Sequence, residues 1–264
     1  MTRPAEPSGG PARGHPADPS VEPFTADIEA NAGYLYTTNA RLSSRLANAR
    51  LTEASLAVGE FSGRRVVDIG CGDGTYTLEL LEVAGAARIS AIDPSDAALE
   101  VARDKFAGYP VDVTVGSASA LPYPDRTFDV AYLRGVLHHM SRPLDALREA
   151  LRVASVAVVV EPNGYNPGLK LLERCSTYHV EHGEQSYAPH QLDRWVREVG
   201  GTVERRTFAG LVPMFCPDWL AVSMKRLEPL VERLPVVSRL GCAVYVFKAR
   251  GPAGATPGGG PPTS

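Results

Sequence analysis

The chain predicts a doubly wound α/β fold on a mostly parallel sheet, and three observations carry that expectation. Short apolar runs alternate with amphipathic stretches of helical period for about a hundred residues. The first run, "VVDI", opens into a turn, "GCGDGTY", with glycines at every second position: Gly70, Gly72 and Gly74. The second, "RISAID", closes on a carboxylate, Asp93, about 20 residues beyond that turn. Parallel strands joined by right-handed crossovers require helices on both faces of the sheet. The alternation supplies them.

Taken in order, "RRVVDI" is a strand and "GTYTLELLEVA" a helix. "RISAID" is a second strand, followed by the helix "PSDAALEVARDKF", whose Pro94 and Ser95 suit a helix start. "VDVTVG" and "FDVAYLRG" are strands three and four, "RPLDALREALRV" a helix, and "SVAVVVEP" a fifth, wholly apolar strand. Before this core, residues 23–60 form a helical cap. In it Leu35, Leu42, Leu46 and Leu56 are spaced to share faces, while Arg41, Arg45 and Arg50 point elsewhere. After the core of residues 61–162, residues 163–250 complete the same domain on the substrate side. They hold an irregular polar segment, the helix "HQLDRWVREVGG", and two strands, "TVERRTFAG" and "AVYVFKAR", separated by a helix from Pro217 to Leu234. Trp219, Leu227, Leu230 and Leu234 on that helix suit either a lid over an apolar acceptor pocket or ordinary core. Residues 1–22 and 251–264 are rich in Pro, Gly, Ala and Ser and are expected to be disordered tails.

Composition narrows the function classes. A net charge of −3 and a pI near 6.1 give no overall basic field for nucleic acid or an anionic membrane, though a bulk figure leaves room for a local basic patch. Cys71, Cys175, Cys216 and Cys242 are scattered and form no C-x-x-C pair, which argues against a zinc site or disulfide framework and for a reducing, cytoplasmic setting. The N-terminal stretch lacks an apolar core of the secretory type, and the run "VASVAVVV" is too short to span a bilayer.

The chemistry gathers at the glycine turn. A strand, tight turn and helix N-terminus can present backbone N–H groups to an anion, and Gly72 leaves room for ligand against the backbone. Asp93 stands where it can take both ribose hydroxyls of an adenosine, a feature that dinucleotide and S-adenosylmethionine sites share. The turn departs from the wider G-x-G-x-x-G spacing suited to a pyrophosphate. With "VVDIGCGDGTY", "AIDPS", "VGSASALPYPDRTFDVAYLRGVLHHM" and "LREALRVASVAVVVEPN" in this order, the stretch from about Arg64 to Asn163 resembles the class I S-adenosylmethionine-dependent methyltransferases, in particular their small-molecule, type 11-like branch.

The resemblance implies a Rossmann-like, seven-stranded sheet whose last two strands form an antiparallel hairpin beside strand five. It implies S-adenosylmethionine as methyl donor and an in-line displacement by an O, N or C nucleophile. Gly70, Gly72 and Gly74 would line the methionine and ribose, and Asp68 would orient the turn and help hold the amino group. Asp93 would bind the ribose; Ile92 and Pro94 would flank the adenine, and Ser117 and Ala118 would meet its edge. Where the family often has an acidic residue, this chain has Ser117, which accepts a hydrogen bond without charge. Leu133 and Arg134 would lie beside the methionine moiety. Cys71, within the turn, is a small apolar filler beside the cofactor, and Tyr34 and Tyr36 are candidates to close over it.

Candidate catalytic residues are His138 and His139, whose imidazoles titrate near neutrality, and His179 and His182 in the loop "YHVEHGEQSY", where Tyr178 is a further candidate for acceptor contact. His179, Glu181 and His182 are spaced too irregularly for a metal site, H-E-x-x-H is absent, and no metal is expected. "YLRGVLHH" lacks the D/N-P-P-Y-like motif of nucleic-acid methyltransferases. The expected partner is a small molecule, with no nucleic acid and no stable membrane insertion. A protein methyltransferase and a non-catalytic S-adenosylmethionine-binding module are the alternatives.

Overall fold

The computed structural model describes Ile28 and residues 33–176 and 185–252. A seven-stranded sheet runs in the order β3-β2-β1-β4-β5-β7-β6. Its strands are β1 Arg65–Ile69, β2 Arg88–Asp93, β3 Val111–Val115, β4 Phe128–Arg134, β5 Ala154–Pro162, β6 Thr202–Ala209 and β7 Val244–Arg250. The first five are parallel, whereas β7 lies antiparallel to both β5 and β6. The final hairpin therefore stands beside strand five, as the resemblance implies.

Helices follow the strands. We label them α1 Leu35–Thr38, α2 Leu42–Val58, α3 Thr75–Glu82, α4 Asp96–Lys105, α5 Pro143–Val153, α6 Pro167–Cys175, α7 Pro189–Glu198, α8 Asp218–Arg233 and α9 Pro235–Gly241. The Ser95 side chain accepts from the Ala98 N–H to cap α4, and Pro143 sits in the first turn of α5. Alternation along each central strand divides the core. Leu133, Val159 and Phe247 pack with Leu147 and Leu192 beneath α5 and α7. On the other face Tyr132, Val158 and Val246 pack with Ala54 and Val58 of α2.

Two features differ from the periodicity-based expectation. The wholly buried face of α2 carries Ser43, Ser44, Ala47, Ala54, Ser55 and Val58, while Leu42, Leu46 and Leu56 are only half-buried. The helix lies flat on β5, β6 and β7, and small residues permit that close approach. Arg50, expected to point away, turns inward between α2 and α8. Its guanidinium donates to Glu232 at 2.6 and 2.9 Å and lies 3.8 Å from Glu228.

The sheet ends in an exposed edge, β6, which carries Glu204, Arg205 and Arg206 at the surface and is bulged between Val203 and Arg205. Gly251, placed by composition in the C-terminal tail, is buried, and its N–H bonds the Ser155 carbonyl.

Candidate cofactor and active site

The three glycines of the turn serve different ends. A side chain at Gly70 would meet Val136, and one at Gly74 would strike the ring of Phe106, just beyond α4, at 2.5 Å, so both are required by packing within the protein. Gly72 is different. Its φ is +54°, and a Cβ there would lie 2.4 Å from the Tyr34 ring, which rests directly on the turn. The ring occupies the face of Gly72 that the sequence reserves for ligand.

Five N–H groups of the turn are engaged within the protein. Those of Gly70 and Cys71 donate to the Ile92 carbonyl, and that of Gly74 to the Cys71 carbonyl. The Gly72 N–H donates to Asp93 at 2.9 Å and the Thr75 N–H to Asp73 at 3.1 Å. Those five donors are thus engaged inside the protein. What the site offers instead is acceptors: Asp68, Asp73 and Asp93 are all buried around this turn.

Each carboxylate has its own surroundings. Asp68 accepts from the Thr77 hydroxyl at 2.6 Å; burial, with the nearby Asp93 charge, pushes its pKa up to about 7 against the pull of Thr77 and Arg134. Asp93 accepts from the Ser95 and Gly72 N–H groups, yet burial raises it to about 6. Burial also opposes the charge of Asp73, but the Thr37 hydroxyl, Lys105 at 3.1 Å and Thr75 outweigh it and hold that carboxyl below its ordinary value. Through Asp73, the segment bearing Tyr34 and Thr37 is tied to the turn.

The remaining expected cofactor residues divide. Ser117 accepts from the Ser119 N–H, Ala118 packs on the core that holds Ile92, and Pro94 is exposed beside buried Asp93. Cys71 is buried with Ala91, Leu99 and Phe106, and burial holds its thiol far above its ordinary pKa, as suits a filler. The Tyr36 ring packs, tilted, against Phe215 with centroids 5.6 Å apart, and Tyr34, the extended residue that caps α1, is the one over Gly72. Leu133 is fully buried in the core. Arg134, on the opposite face of β4, lies over the Tyr76 ring at 3.4 Å and donates to Thr52 at 2.8 Å. It thereby ties α2 to the sheet.

Beyond β4, residues Leu137–His139 form a 3₁₀ turn at the carboxyl edge of the sheet. Glu161, near the end of β5 and 1% exposed, accepts from the N–H groups of Val136, Leu137 and His138 at 3.0, 2.8 and 3.2 Å. Its other contact is the His138 ring, with Nδ1 at 2.9 Å. The His139 ring packs against that of His138 at 3.8 Å. Reading the sequence singled out the two histidines and missed Glu161. The available signal was a carboxylate closing an otherwise apolar strand, "VAVVVEP". Tyr178, His179, Glu181 and His182 lie outside the described residues. Among the described residues no three His, Cys, Asp or Glu side chains gather as a metal site, and no helix is long and apolar enough to cross a membrane.

With this geometry in place, comparison with known proteins is informative. Residues 67–158 match the family model described as a methyltransferase domain. A rice protein, 2-methyl-6-phytyl-1,4-hydroquinone methyltransferase 1 from Oryza sativa subsp. japonica, is 36% identical over 103 residues, covering 38% of this chain and 31% of the relative. The tRNA U34 carboxymethyltransferase of Methylococcus capsulatus is 38% identical over 96 residues, 35% of this chain and 29% of its own. The 27-O-demethylrifamycin SV methyltransferase of Amycolatopsis mediterranei is 35% identical over 96 residues, 35% of each chain. The matches span about a third of the length of these relatives. Among solved structures, a Thermotoga maritima S-adenosylmethionine-dependent methyltransferase aligns over 88% of this chain and 99% of its own with a TM-score of 0.63. At 17% identity that likeness speaks for the fold alone. The matched segment runs from β1 into β5 and contains the glycine turn, Asp93 and the His138 turn; over this segment the chain carries a methyltransferase domain, on a fold shared with S-adenosylmethionine-dependent methyltransferases.

Proposed function

We propose that this chain binds S-adenosylmethionine at the acidic glycine turn and transfers its methyl group to a nucleophile on a small molecule. One observation carries the reading: the turn presents three buried carboxylates, while the N–H groups of Gly70, Cys71, Gly72, Gly74 and Thr75 are bonded within the protein. Such a site suits hydroxyls and cationic groups and disfavours a pyrophosphate, which needs donors. Asp93 retains lone pairs for ribose hydroxyls, and Asp68 stands to face a positively charged methionine moiety. When bound, S-adenosylmethionine supplies an electrophilic methyl on a positively charged sulfur.

His138 is the residue we assign to the acceptor's proton. Glu161 orients its ring through Nδ1, and Nε2 is the atom we assign to the proton of an acceptor hydroxyl or amine. Histidine in this role contributes on the order of 10²–10⁴ in rate when the acceptor must be deprotonated. The acceptor class we infer is a small molecule with an apolar body, in keeping with the hydroquinone and rifamycin named for two relatives. The four free cysteines support a cytoplasmic setting.

The test is calorimetric titration of S-adenosylmethionine, S-adenosylhomocysteine and NAD, followed by transfer of labelled methyl to pooled small molecules, bulk tRNA and protein extract. Tight binding of the first two with label in the small-molecule fraction is expected. Preference for NAD would overturn the cofactor; label in tRNA or protein would overturn the acceptor class. Glu161→Gln should lower turnover at least tenfold with little change in cofactor affinity.

A further inference from the structure

The helices α8 and α9 are turned inside out. On α8 the carboxylates Glu228 and Glu232 face inward, where they accept from the Leu211 and Gly210 N–H groups and pair with Arg50 and Lys225. The apolar side chains face outward instead. Trp219 is 72% exposed, Leu230 59% and Val236 71%, with Leu227, Leu234 and Leu240 beside them. Along α8 these fall at positions 219, 227, 230 and 234, one stripe at helical spacing that continues onto α9. Arg226, Arg233 and Arg239 are exposed on the same two helices, against one exposed carboxylate, Asp218.

We propose that this face docks on an anionic phospholipid surface. Charge decides between the possible occupants. A symmetric contact with a second copy would set the same three arginines against each other. An anionic bilayer instead neutralises them while the stripe of Trp, Leu and Val enters the headgroup boundary, the arrangement of an interfacial helix. Sequestering Glu228 and Glu232 removes the charges that would oppose such a surface. The face is also rigidly placed: Asn163, two residues beyond Glu161, donates to the Arg239 and Cys242 carbonyls at 2.8 and 2.9 Å. Docking lies in the plane of the interface and requires no membrane-spanning segment. It stands independently of the methyl-transfer reading.

The experiment uses the full chain and vesicles of phosphatidylcholine with or without phosphatidylglycerol at low salt. Sedimentation is read together with Trp219 fluorescence in a Trp195→Phe background. Binding and a blue shift are expected only with phosphatidylglycerol. Arg226→Gln with Arg233→Gln should weaken binding about fivefold per charge. Leu230→Ser with Val236→Ser should weaken it at least about tenfold, with circular dichroism unchanged. Absence of binding to the anionic vesicles, or equal binding to both kinds, would overturn the proposal. So would a lipid-free dimer that Leu230→Ser with Val236→Ser dissociates, since the occupant would then be a second copy.

Discussion

The half of the molecule around β1, β2 and β4 and the half around α8 and α9 use carboxylates in opposite ways. In the first, Asp68, Asp73 and Asp93 are buried around the glycine turn, and burial raises Asp68 and Asp93 toward neutral pKa values. In the second, buried Glu228 and half-buried Glu232 hold the chain itself: they pin the loop at Gly210 and Leu211 and receive Arg50 from α2. A buried acid is thus either part of a site or part of a joint. What separates them is the cation: Glu228 and Glu232 pair with Arg50 and Lys225, whereas Asp68 and Asp93 accept from neutral hydroxyl and N–H groups.

Substitutions can break this contrast, and the largest expected effect is at Gly72. Gly72→Val should abolish detectable S-adenosylmethionine binding by calorimetry. Combining it with Tyr34→Ala, which removes the ring clash, should not restore binding if the space belongs to ligand. Arg50→Ala should destabilise the fold by about 3 kcal/mol in urea titration, because Glu232 loses its cationic partner and Glu228 keeps only Lys225. Asp93→Ala should weaken S-adenosylmethionine and S-adenosylhomocysteine alike by at least about tenfold, since both carry the ribose. Asp93→Asn should keep part of that affinity.

The effect of pH sharpens the comparison further. Asp68 and Asp93 have raised pKa values, so the folded chain holds more protons than the unfolded one between about pH 4 and 7. Their contribution to stability therefore falls as pH rises through that window. Asp68→Asn should remove part of this fall, gaining melting temperature relative to the parent at pH 8 but not at pH 4. Affinity for S-adenosylmethionine should rise from pH 5 to 8 as the two carboxylates ionise, with proton release visible in buffers of different ionisation enthalpy. The smallest effect is expected at Leu230: Leu230→Ser should alter lipid-free stability by no more than about 0.5 kcal/mol. Leu147→Ala in the core should cost about 2–5 kcal/mol.

Much of this was legible in the sequence. The five parallel strands follow from apolar runs bounded by turns, and Asp93 from the strand that carries it to the sheet edge. The identity of Tyr34 rather than Tyr36 over Gly72, and the inward turn of Arg50, were not. Periodicity states which residues share a helix face but not which face is inward; that depends on what the neighbouring element offers. On α8 the neighbours offer a guanidinium and two backbone N–H groups, so the acidic face wins the interior. Likewise the pairing of Glu161 with His138 joins residues 23 apart that only the β4–β5 pairing brings together.

The charged, bulged edge at β6 has a consequence for how the protein can be handled. An open strand edge is a template on which another chain can add, and sheets left flat and apolar there polymerise. Here a newcomer would have to strip water from Glu204, Arg205 and Arg206 and match a register already broken between Val203 and Arg205. Strand-by-strand accretion is thereby discouraged at the one edge built from the last hairpin, and concentrated solutions should resist fibre formation from that side. Replacing Arg205 with valine would weaken the guard while leaving the Arg206–Asp193 pair in place, and seeded growth followed by thioflavin fluorescence would register the loss.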